Sequence, residues 1–510
     1  MKVFLMYRDR DFDGQYEMTQ HDLDVVQDLG LDVLFDAMAG GDEYLLDVVK
    51  SVVLSYETDI DTILYRQGIL KDCVKNASVV REIYDIAVQA IESRRKHHLG
   101  IFSITPSTIL SGSVGLLKVF MEMLRKLRDT ADRHSGGFES EGFKQFFETL
   151  KKELTDDFFC GAERLLKELK FEDGAMVRAQ LTKGNEGCNY VLVRKKKQKW
   201  FGSILSKMPL GSVSSYTFRL HPRDDSGFRA LSEIKDRAIN PVANTIAQSA
   251  DHVLGFFRKL RREMAFYMGA LNLYERLSEI CEPVAFPELV ALGEVHQSFK
   301  GLYDVCLAIS MNRRVVGNTL NLRDRKMVMI TGANQGGKST FLRSIGIAQM
   351  LMQCGMFVPA EYFSANVCKR IFTHFGREED KEMQSGKLEE ELKRMSAIID
   401  EIVPNSIVLF NESFASTNER EGSEIAKQII SALVEAGIKV FFVTHMYELA
   451  NYFYTKRKEG VAFLVAERKE DGTRTFRMLE GKPSATSYGK DLYRKILVPL
   501  WHSDNSEVAM

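Results

Sequence analysis

The sequence predicts a multidomain protein of the α and α/β classes: a helical core with a small β-rich insertion, followed by a C-terminal α/β domain. The chain has 510 residues, enough for about three domains of roughly 150 residues each. Its first part carries apolar residues at helical spacing, and its last part alternates apolar runs with amphipathic stretches. We expect a first helical part at 1–165, the insertion at 166–230, long helices at 231–284 and the α/β domain at 285–510.

The composition excludes several classes of protein. Hydrophobic residues make up 45% of the chain, charged residues 27%, and the net charge is −1, so the whole molecule has no field that attracts polyanions. No run of about 18 apolar residues and no signal-peptide core is present; we expect a cytoplasmic protein without a membrane. The seven cysteines are scattered without a CxxC pair, which favours neither a disulfide framework nor a thiolate zinc site.

Helical periodicity dominates the parts at 1–165 and 231–284. Apolar residues recur three or four positions apart, for example over 44–52 and 116–127. A longer apolar stripe over 243–280 predicts one helix of roughly 50–55 Å at about 1.5 Å per residue. Such a helix can carry motion between distant domains.

The insertion has the periodicity of β-structure. Three short runs rich in β-branched and aromatic residues, at Met176–Leu181, 190–193 and 216–220, are separated by glycine-rich breaks. We predict a strand in each.

One dense basic run lies between the second and third of these strands. It consists of Arg194, Lys195, Lys196, Lys197 and Lys199, and Trp200 follows it. Basic side chains beside an aromatic ring are typical of contacts to a nucleic-acid backbone. A solvated hairpin tip explains the same pattern, so the run is only a candidate nucleic-acid contact.

After Pro283 the chain alternates strands and helices. The predicted strands lie at 326–331, 406–410 and 439–444, and the predicted helices at 338–354 and 422–436. Near-continuous apolar runs indicate strands buried on both faces. The pattern therefore predicts a parallel sheet with helices on both sides.

A phosphate-binding loop is predicted between the first of these strands and its helix. Residues 332–339, GANQGGKS, fit GxxxxGK[ST]. Backbone N–H groups of such a turn cradle phosphates, Lys338 would reach the β- and γ-phosphate oxygens, and Ser339 would ligate Mg²⁺. The motif predicts ATP and Mg²⁺ as ligands; a tight glycine turn without a ligand is the alternative.

Polar residues end the strand at 406–410. Asn411 and Glu412 stand where nucleotide hydrolases place groups that hold the metal and polarise water. We expect Glu412 to be the general base, and the alternative is an acidic residue held by a nearby lysine. Asn411 occupies a position where an aspartate is usual, which weakens the expected metal site.

Two further features follow along the chain. Thr417 and Asn418 precede a helix, where a hydroxyl and an amide can bind a phosphate on a facing subunit or simply cap the helix.

His445 ends the strand at 439–444, where a neutral imidazole can lie beside the attacking water. A purely structural histidine is the alternative.

The order of several blocks resembles the MutS family, the DNA mismatch-repair ATPases related to ABC-type ATPases. The blocks lie at 331–340, 357–360, 370–373, 385–386, 411–412, 444–449 and 487–489, and by the resemblance the block at 357–360 is expected to be a strand. The helical part, with 63–67 and the long helix, is similar to the family's core and levers, and the insertion stands in the place of the DNA-gripping clamp. The resemblance implies an ABC-type P-loop ATPase domain, a homodimer and double-stranded DNA as partner.

The resemblance also implies roles for single residues. The nucleotide contacts would be Asn318, Gly332, Asn334, Gly336, Gly337, Lys338, Ser339 and Thr340, with Asn318 beside the adenine. The metal would lie at Ser339 and Asn411, and catalysis would use Glu412 and the switch-like His445. Thr417 and Asn418 would complete the partner's site, and Glu391 resembles the acidic residue of the helix that follows 385–386.

The chain departs from the family pattern at three places. First, little sequence precedes the helical core, where a mismatch-reading domain and its Phe-x-Glu wedge would lie. Second, the loop at 413–418 lacks the Gly-Thr-Ser-Thr motif. Third, little sequence follows Tyr488. We expect an ATPase that drives dimer and clamp movement on DNA or another nucleic acid, without mismatch reading and with slow hydrolysis. The alternatives are a nucleotide-gated nucleic-acid or ribosome-binding module with vestigial hydrolysis, and a small-molecule kinase, for which no acceptor-binding lid is visible.

Overall fold

The computed structural model describes residues 1–98, 105–171, 174–184, 186–193, 216–377, 386–456 and 459–484. The chain forms two compact units. The first contains 1–3, 81–136 and 145–261, and the second contains 4–80, 137–144 and 262–510. Residues 4–80 thus belong with the C-terminal residues, whereas the sequence prediction placed them with the first helical part.

The helices and strands lie within these described ranges. The helices are α1 Gln20–Leu29, α2 Leu31–Ala39, α3 Glu43–Val53, α4 Ile60–Lys75, α5 Ala77–His98, α6 Pro106–His134, α7 Glu141–Glu153, α8 Asp156–Glu168, α9 Asp225–Glu279, α10 Val305–Met311, α11 Lys338–Gln353, α12 Lys387–Glu401, α13 Glu419–Glu435 and α14 Tyr447–Thr455. The strands are β1 Met176–Leu181, β2 Gly187–Val193, β3 Glu288–Val290, β4 Gln297–Leu302, β5 Asn318–Asn321, β6 Met327–Gly332, β7 Tyr362–Asn366, β8 Ile371–Phe375, β9 Ile407–Asn411, β10 Lys439–Val443, β11 Val461–Arg468 and β12 Arg474–Glu480.

The first unit is helical with one β-hairpin. Helix α6 begins with a capping box, in which Thr105 accepts a hydrogen bond from the backbone N–H of Thr108, and with Pro106 in its first turn. Its buried face packs on α9, where the rings of Phe120 and Phe257 lie 5.7 Å apart. Amphipathic packing of this kind is what the spacing over 116–127 predicts.

Helix α6 is also, by length and composition, apolar enough to cross a membrane, alone among the helices in the described ranges. Lys118 and Glu122 interrupt its apolar residues, so the helix contains no unbroken apolar run of membrane-spanning length. The buried residues of α6, such as Leu110 and Leu127, recur on one face, as in the core helix of a soluble domain.

The β-rich insertion differs from the prediction at its third strand. Strands β1 and β2 pair antiparallel, with Met176 opposite Val193, which confirms the first two predicted strands. The predicted strand at 216–220 is wrong: the segment has no strand partner among the described residues, and its aromatic side chains Tyr216 and Phe218 are 90% and 78% exposed. Helix α9 then begins at Asp225, well before the predicted start near Ala243.

The second unit contains a six-stranded sheet in the order β12-β11-β6-β10-β9-β8. All neighbours from β11 to β8 are parallel, and β12 runs antiparallel at the edge. Phe410 belongs to a buried cluster with Met395 of α12 and Leu433 of α13. Leu409 faces the other way, so close to α11 that a Cβ at Gly346 would lie 2.8 Å from it. The predicted parallel sheet with helices on both faces is therefore confirmed.

A second sheet in this unit has the strand order β3-β7-β4-β5. The strand expected at 357–360 is wrong, because Val358 forms only an isolated bridge with Ala285 and the strand β7 begins at Tyr362. The short apolar run at 357–360 has the composition of a strand, but tertiary context decides its pairing.

Helix α1 packs against β8, the edge strand of the six-stranded sheet. Arg370 donates to Asp22 at 3.1 Å and Arg377 to Asp24 at 2.5 Å. The helix covers an edge whose unpaired backbone groups would otherwise face solvent. This packing is the physical reason that residues 4–80 belong to the second unit.

Candidate active site

The phosphate-binding loop adopts the geometry that its glycines allow. Gly332 and Gly337 have φ values of 118° and 88°, which are strained for other residues. A Cβ at Gly332 would lie 2.8 Å from the backbone nitrogen of Ala466. Gly337 is the N-cap of α11, so the free N–H groups of the helix start point into the loop, as anion binding requires.

Lys338 is held at the base of this loop. Its Nζ donates to the carbonyl oxygens of Gly332, at 3.2 Å, and Ala333, at 3.1 Å. Burial lowers the pKa of the ammonium group because the charged form loses hydration. An incoming anion would restore that lost electrostatic stabilisation.

A cavity of about 850 Å³ opens beside the loop. It is lined by nine residues that the sequence analysis named, namely Asn318, Asn334, Gly336, Gly337, Lys338, Ser339, Thr340, Glu412 and His445. The volume lies within the range of small-ligand sites. Motifs separated by more than a hundred positions in sequence thus meet at one cavity.

The two predicted metal-holding side chains lie next to each other. Ser339 Oγ donates to Asn411 Oδ1 at 3.0 Å. No group of three or more His, Cys, Asp or Glu side chains in the described ranges is arranged to hold a metal ion. One hydroxyl and one amide oxygen fit Mg²⁺, which prefers oxygen ligands and usually takes the others from phosphates and water.

Glu412 and His445 form an ion pair at the cavity. His445 Nδ1 lies 3.7 Å from Glu412 Oε1, which is within ion-pair range and too long for a hydrogen bond. The carboxylate raises the pKa of His445, and the histidine lowers the pKa of Glu412 despite partial burial. Glu412 is therefore ionised at neutral pH and able to accept a proton.

The opposite wall of the cavity comes from residues that sequence reasoning missed. Tyr303, Arg313, Val316 and Phe476 line it together with Asn318. Asn318 is buried and its Oδ1 accepts from the backbone N–H of Met478 at 2.7 Å. No motif marks this wall, since it is built from α10, the loop after it and the edge strand β12.

Thr417 and Asn418 do not line the cavity of their own chain. Asn418 caps α13 by accepting from the backbone N–H of Glu421 at 3.0 Å, and Thr417 Oγ1 donates to the Glu421 carboxylate at 2.7 Å. The N-cap interpretation of Asn418 is thus confirmed, and the contact to a partner's nucleotide stays a prediction. The basic residues Arg194 to Lys199 lie outside the described residues.

Two family models match the chain. The model described as MutS2 N-terminal domain matches residues 58–280, and the model described as MutS domain V matches residues 328–502. The first covers most of the helical part and the insertion, and the second covers the phosphate-binding loop and the strands that follow.

Single relatives match a smaller part of the chain. The chain is 32% identical to human MutS protein homolog 4 over 152 residues, which is 30% of this chain and 16% of that protein. It is 34% identical to the DNA mismatch repair protein MutS of Thermotoga neapolitana over 181 residues, 35% of this chain and 22% of that protein. Endonuclease MutS2 of Lacticaseibacillus casei matches at 33% over 176 residues, 34% of this chain and 22% of that protein.

The matches thus span no more than about a quarter of each of these three relatives. Two of the three names describe mismatch repair and an endonuclease, and all three proteins are much longer than the matched segment. The two family models nevertheless cover most of this chain, and the second contains the loop and strand ends that surround the cavity. The chain belongs to the MutS family.

Proposed function

We propose that the protein is a MutS-like ATPase of the cytoplasm. ATP binding and hydrolysis would drive closure of a homodimer and movement of its clamp on a nucleic acid, most simply double-stranded DNA. The observation that carries this proposal is the meeting of Lys338, Ser339 and Glu412 at one cavity. We assign no mismatch reading to these residues.

The chain's own groups account for binding and orientation of the substrate. The N–H groups at the start of α11 and the Lys338 ammonium would bind the phosphates, and Asn318 would lie beside the base. Glu412 would orient a water molecule for in-line attack on the γ-phosphate and accept its proton. His445, paired with Glu412, would keep that carboxylate ionised and directed at the cavity.

Ser339 and Asn411 are the residues that would hold Mg²⁺. The ion would neutralise charge on the phosphate oxygens during hydrolysis. Asn411 presents a neutral amide oxygen in place of a carboxylate and already accepts the Ser339 hydroxyl. We therefore propose slow hydrolysis with a raised magnesium requirement.

The nucleic-acid part of the proposal is supported by the family and by two relatives, one named as a DNA mismatch repair protein and the other as an endonuclease. The insertion at 166–230 would grip the backbone, with Arg194, Lys195, Lys196, Lys197 and Lys199 as phosphate contacts. The homodimer would place Thr417 and Asn418 at the partner's nucleotide.

Lys338→Ala tests the nucleotide site. The variant should lose at least about tenfold in ATP affinity by calorimetry, because the lysine charge serves the phosphates, while its thermal unfolding midpoint stays close to wild type. Lys326→Ala, at an exposed residue directly before the strand that leads into the loop, is the matched control and should bind ATP normally. Equal ATP affinity in wild type and Lys338→Ala would reject the phosphate-binding assignment.

The alternative is a nucleotide-gated binding module with vestigial hydrolysis. The observation that favours it is Asn411, whose amide offers no negative charge to the metal. Turnover of the wild-type protein at saturating Mg²⁺ separates the two functions, since the module would bind ATP and release no phosphate above the level of Glu412→Gln.

A further inference from the structure

We propose that His374, Ser413 and Glu391 form a buried support that fixes the turn at residues 411–414 and aims the Glu412 carboxylate at the cavity. None of the three lines the cavity, so they are positioning residues. The inference rests on the proposed function, because Glu412 acts as a general base only if the protein hydrolyses ATP.

The turn after β9 requires support because two of its residues are strained. Glu412 has a φ of 53° and Phe414 a φ of 61°, both in the left-handed region. Each non-glycine residue in such a conformation costs on the order of 1–3 kcal/mol and persists only where its surroundings hold it. The direction of the Glu412 side chain depends on this backbone geometry.

His374 joins the turn to helix α12. The side chain is fully buried at the end of β8, with Nε2 2.9 Å from the carbonyl oxygen of Glu391 and Nδ1 2.8 Å from Ser413 Oγ. A carbonyl oxygen only accepts, so in the neutral ring Nε2 carries the proton. The single Ser413 hydroxyl proton lies between two acceptors, Nδ1 and the backbone carbonyl oxygen of His374. Burial lowers the pKa of His374 to about 4, which keeps the ring neutral.

Glu391 holds the next residue of the turn. Its Oε2 accepts from the backbone N–H of Phe414 at 2.8 Å, and the side chain is buried. Glu391 lies on α12. The helix therefore holds the turn in two ways. Its backbone carbonyl oxygen binds His374, which contacts Ser413, and its carboxylate binds the N–H of Phe414.

Neighbouring strands and a helix enclose the rest of the turn. The backbone N–H of Gly376 donates to Asn411 O and that of Glu412 donates to Val443 O, each at 2.9 Å. A Cβ at Gly422 would lie 2.3 Å from the carbonyl oxygen of Phe414, so α13 closes the remaining side. With His374 or Ser413 altered, the backbone at 412–414 would be free to relax toward ordinary φ values, and the carboxylate would turn with it.

The experiment compares small substitutions in the support with one matched control. Ser413→Ala removes only the hydroxyl, and Glu391→Ala removes the acceptor for Phe414. Glu391→Gln keeps an oxygen acceptor. Ser406→Ala is the control, because Ser406 is fully buried beside the opposite end of β9 and its hydroxyl has no partner within the described ranges.

Two readouts are needed: steady-state kcat and KM for ATP, and hydrogen exchange of the peptide covering 411–418. In Ser413→Ala and Glu391→Ala, kcat should fall by about ten- to hundredfold with KM changed less than about threefold, because misplacement of a catalytic group costs turnover more than binding. Exchange at 412–414 should accelerate. Glu391→Gln should recover most of the loss, and Ser406→Ala should resemble wild type.

Unchanged exchange at 412–414 in Ser413→Ala would overturn the support, whatever the turnover. The proposal would also be overturned if Ser413→Ala exchanged faster but had the same kcat as Ser406→Ala, or if kcat and KM changed in parallel in all variants. A wild type without turnover above Glu412→Gln would reject hydrolysis and with it any positioning for catalysis, while the exchange measurement would still decide whether the support exists.

Discussion

The pKa of Glu412 is held below its ordinary value by a residue that follows a different strand. His445 lowers its pKa more than any other group, and partial burial acts in the opposite direction. If the histidine is removed, the largest effect that lowers the pKa of Glu412 is lost. Burial, which raises this pKa, then acts with less opposition, and the pKa rises. The general base then becomes protonated at a higher pH, although the carboxylate itself is unchanged.

We expect His445→Ala to move the acid limb of the kcat profile to higher pH. Turnover needs ionised Glu412 and is lost as pH falls through its pKa, so a raised pKa means that activity is lost earlier on acidification. The measurement is kcat from about pH 3.5 to pH 8 at saturating ATP, because the wild-type limb lies below the ordinary glutamate pKa of about 4.5. His252→Ala, an exposed histidine of α9, is the control; an acid limb at the same pH in all three proteins would contradict the pairing.

Single residues of the site are predictable from sequence where a motif fixes them. The loop at 332–339 and the ends of β9 and β10 have spacings that physical chemistry demands, and Lys338, Glu412 and His445 lie where those spacings indicate. His374 and Ser413 were not predictable, since they lie 39 positions apart and neither belongs to a motif. Only the packing of β8 beside β9 brings them together.

Strands were predictable from the sequence where a continuous apolar run indicates that both faces of the strand are buried. Strand β6 was expected at 326–331 and spans Met327–Gly332, because a central strand is apolar throughout. The segment at 216–220 has the same local preference and forms no strand among the described residues, since pairing depends on a neighbour that the pattern cannot specify. Helix α9 begins before its apolar stripe. Its first turns are exposed, so they carry no apolar pattern that would mark the start of the helix in the sequence.

Helix α9 is joined to the N-terminal residues by one buried carboxylate. Glu263 accepts from the backbone N–H groups of Leu5, Met6 and Phe12, and burial raises its pKa to about 7 although these donors favour ionisation. The ordinary pKa is about 4.5. Because the pKa is raised in the folded state, the stabilisation is complete below about pH 4.5 and is lost as pH rises through about 7.

Hydrogen exchange of residues 5–12 should report this loss. After correction for intrinsic rates, the opening free energy in wild type should fall by on the order of 3 kcal/mol between pH 4.5 and pH 8. Glu263→Gln, which cannot ionise, should show a flatter dependence, and the exposed Glu279→Gln should follow wild type. Identical slopes in wild type and Glu263→Gln would assign the pH dependence to other groups.

At the scale of the whole molecule, the proposed function requires a second copy of the chain. The helix-start residues Thr417 and Asn418 do not line the cavity, and Asn418 is exposed. Their hydroxyl and amide bond only within the start of α13. A second copy of the chain is the partner that the proposed function supplies for them.

ATP should therefore convert Glu412→Gln into a stable dimer. The substitution removes the base while Lys338 and Ser339 still bind nucleotide. ATP is then not hydrolysed, and the closed dimer persists. Sedimentation over a wide concentration range should show dimers with ATP and Mg²⁺ and a weaker association without them. Adding Thr417→Ala and Asn418→Ala should weaken the ATP-dependent dimer, whereas Lys338→Ala should abolish its response to ATP. If Glu412→Gln stays monomeric with ATP bound, the second chain does not complete the site, and the nucleotide must act within a single copy.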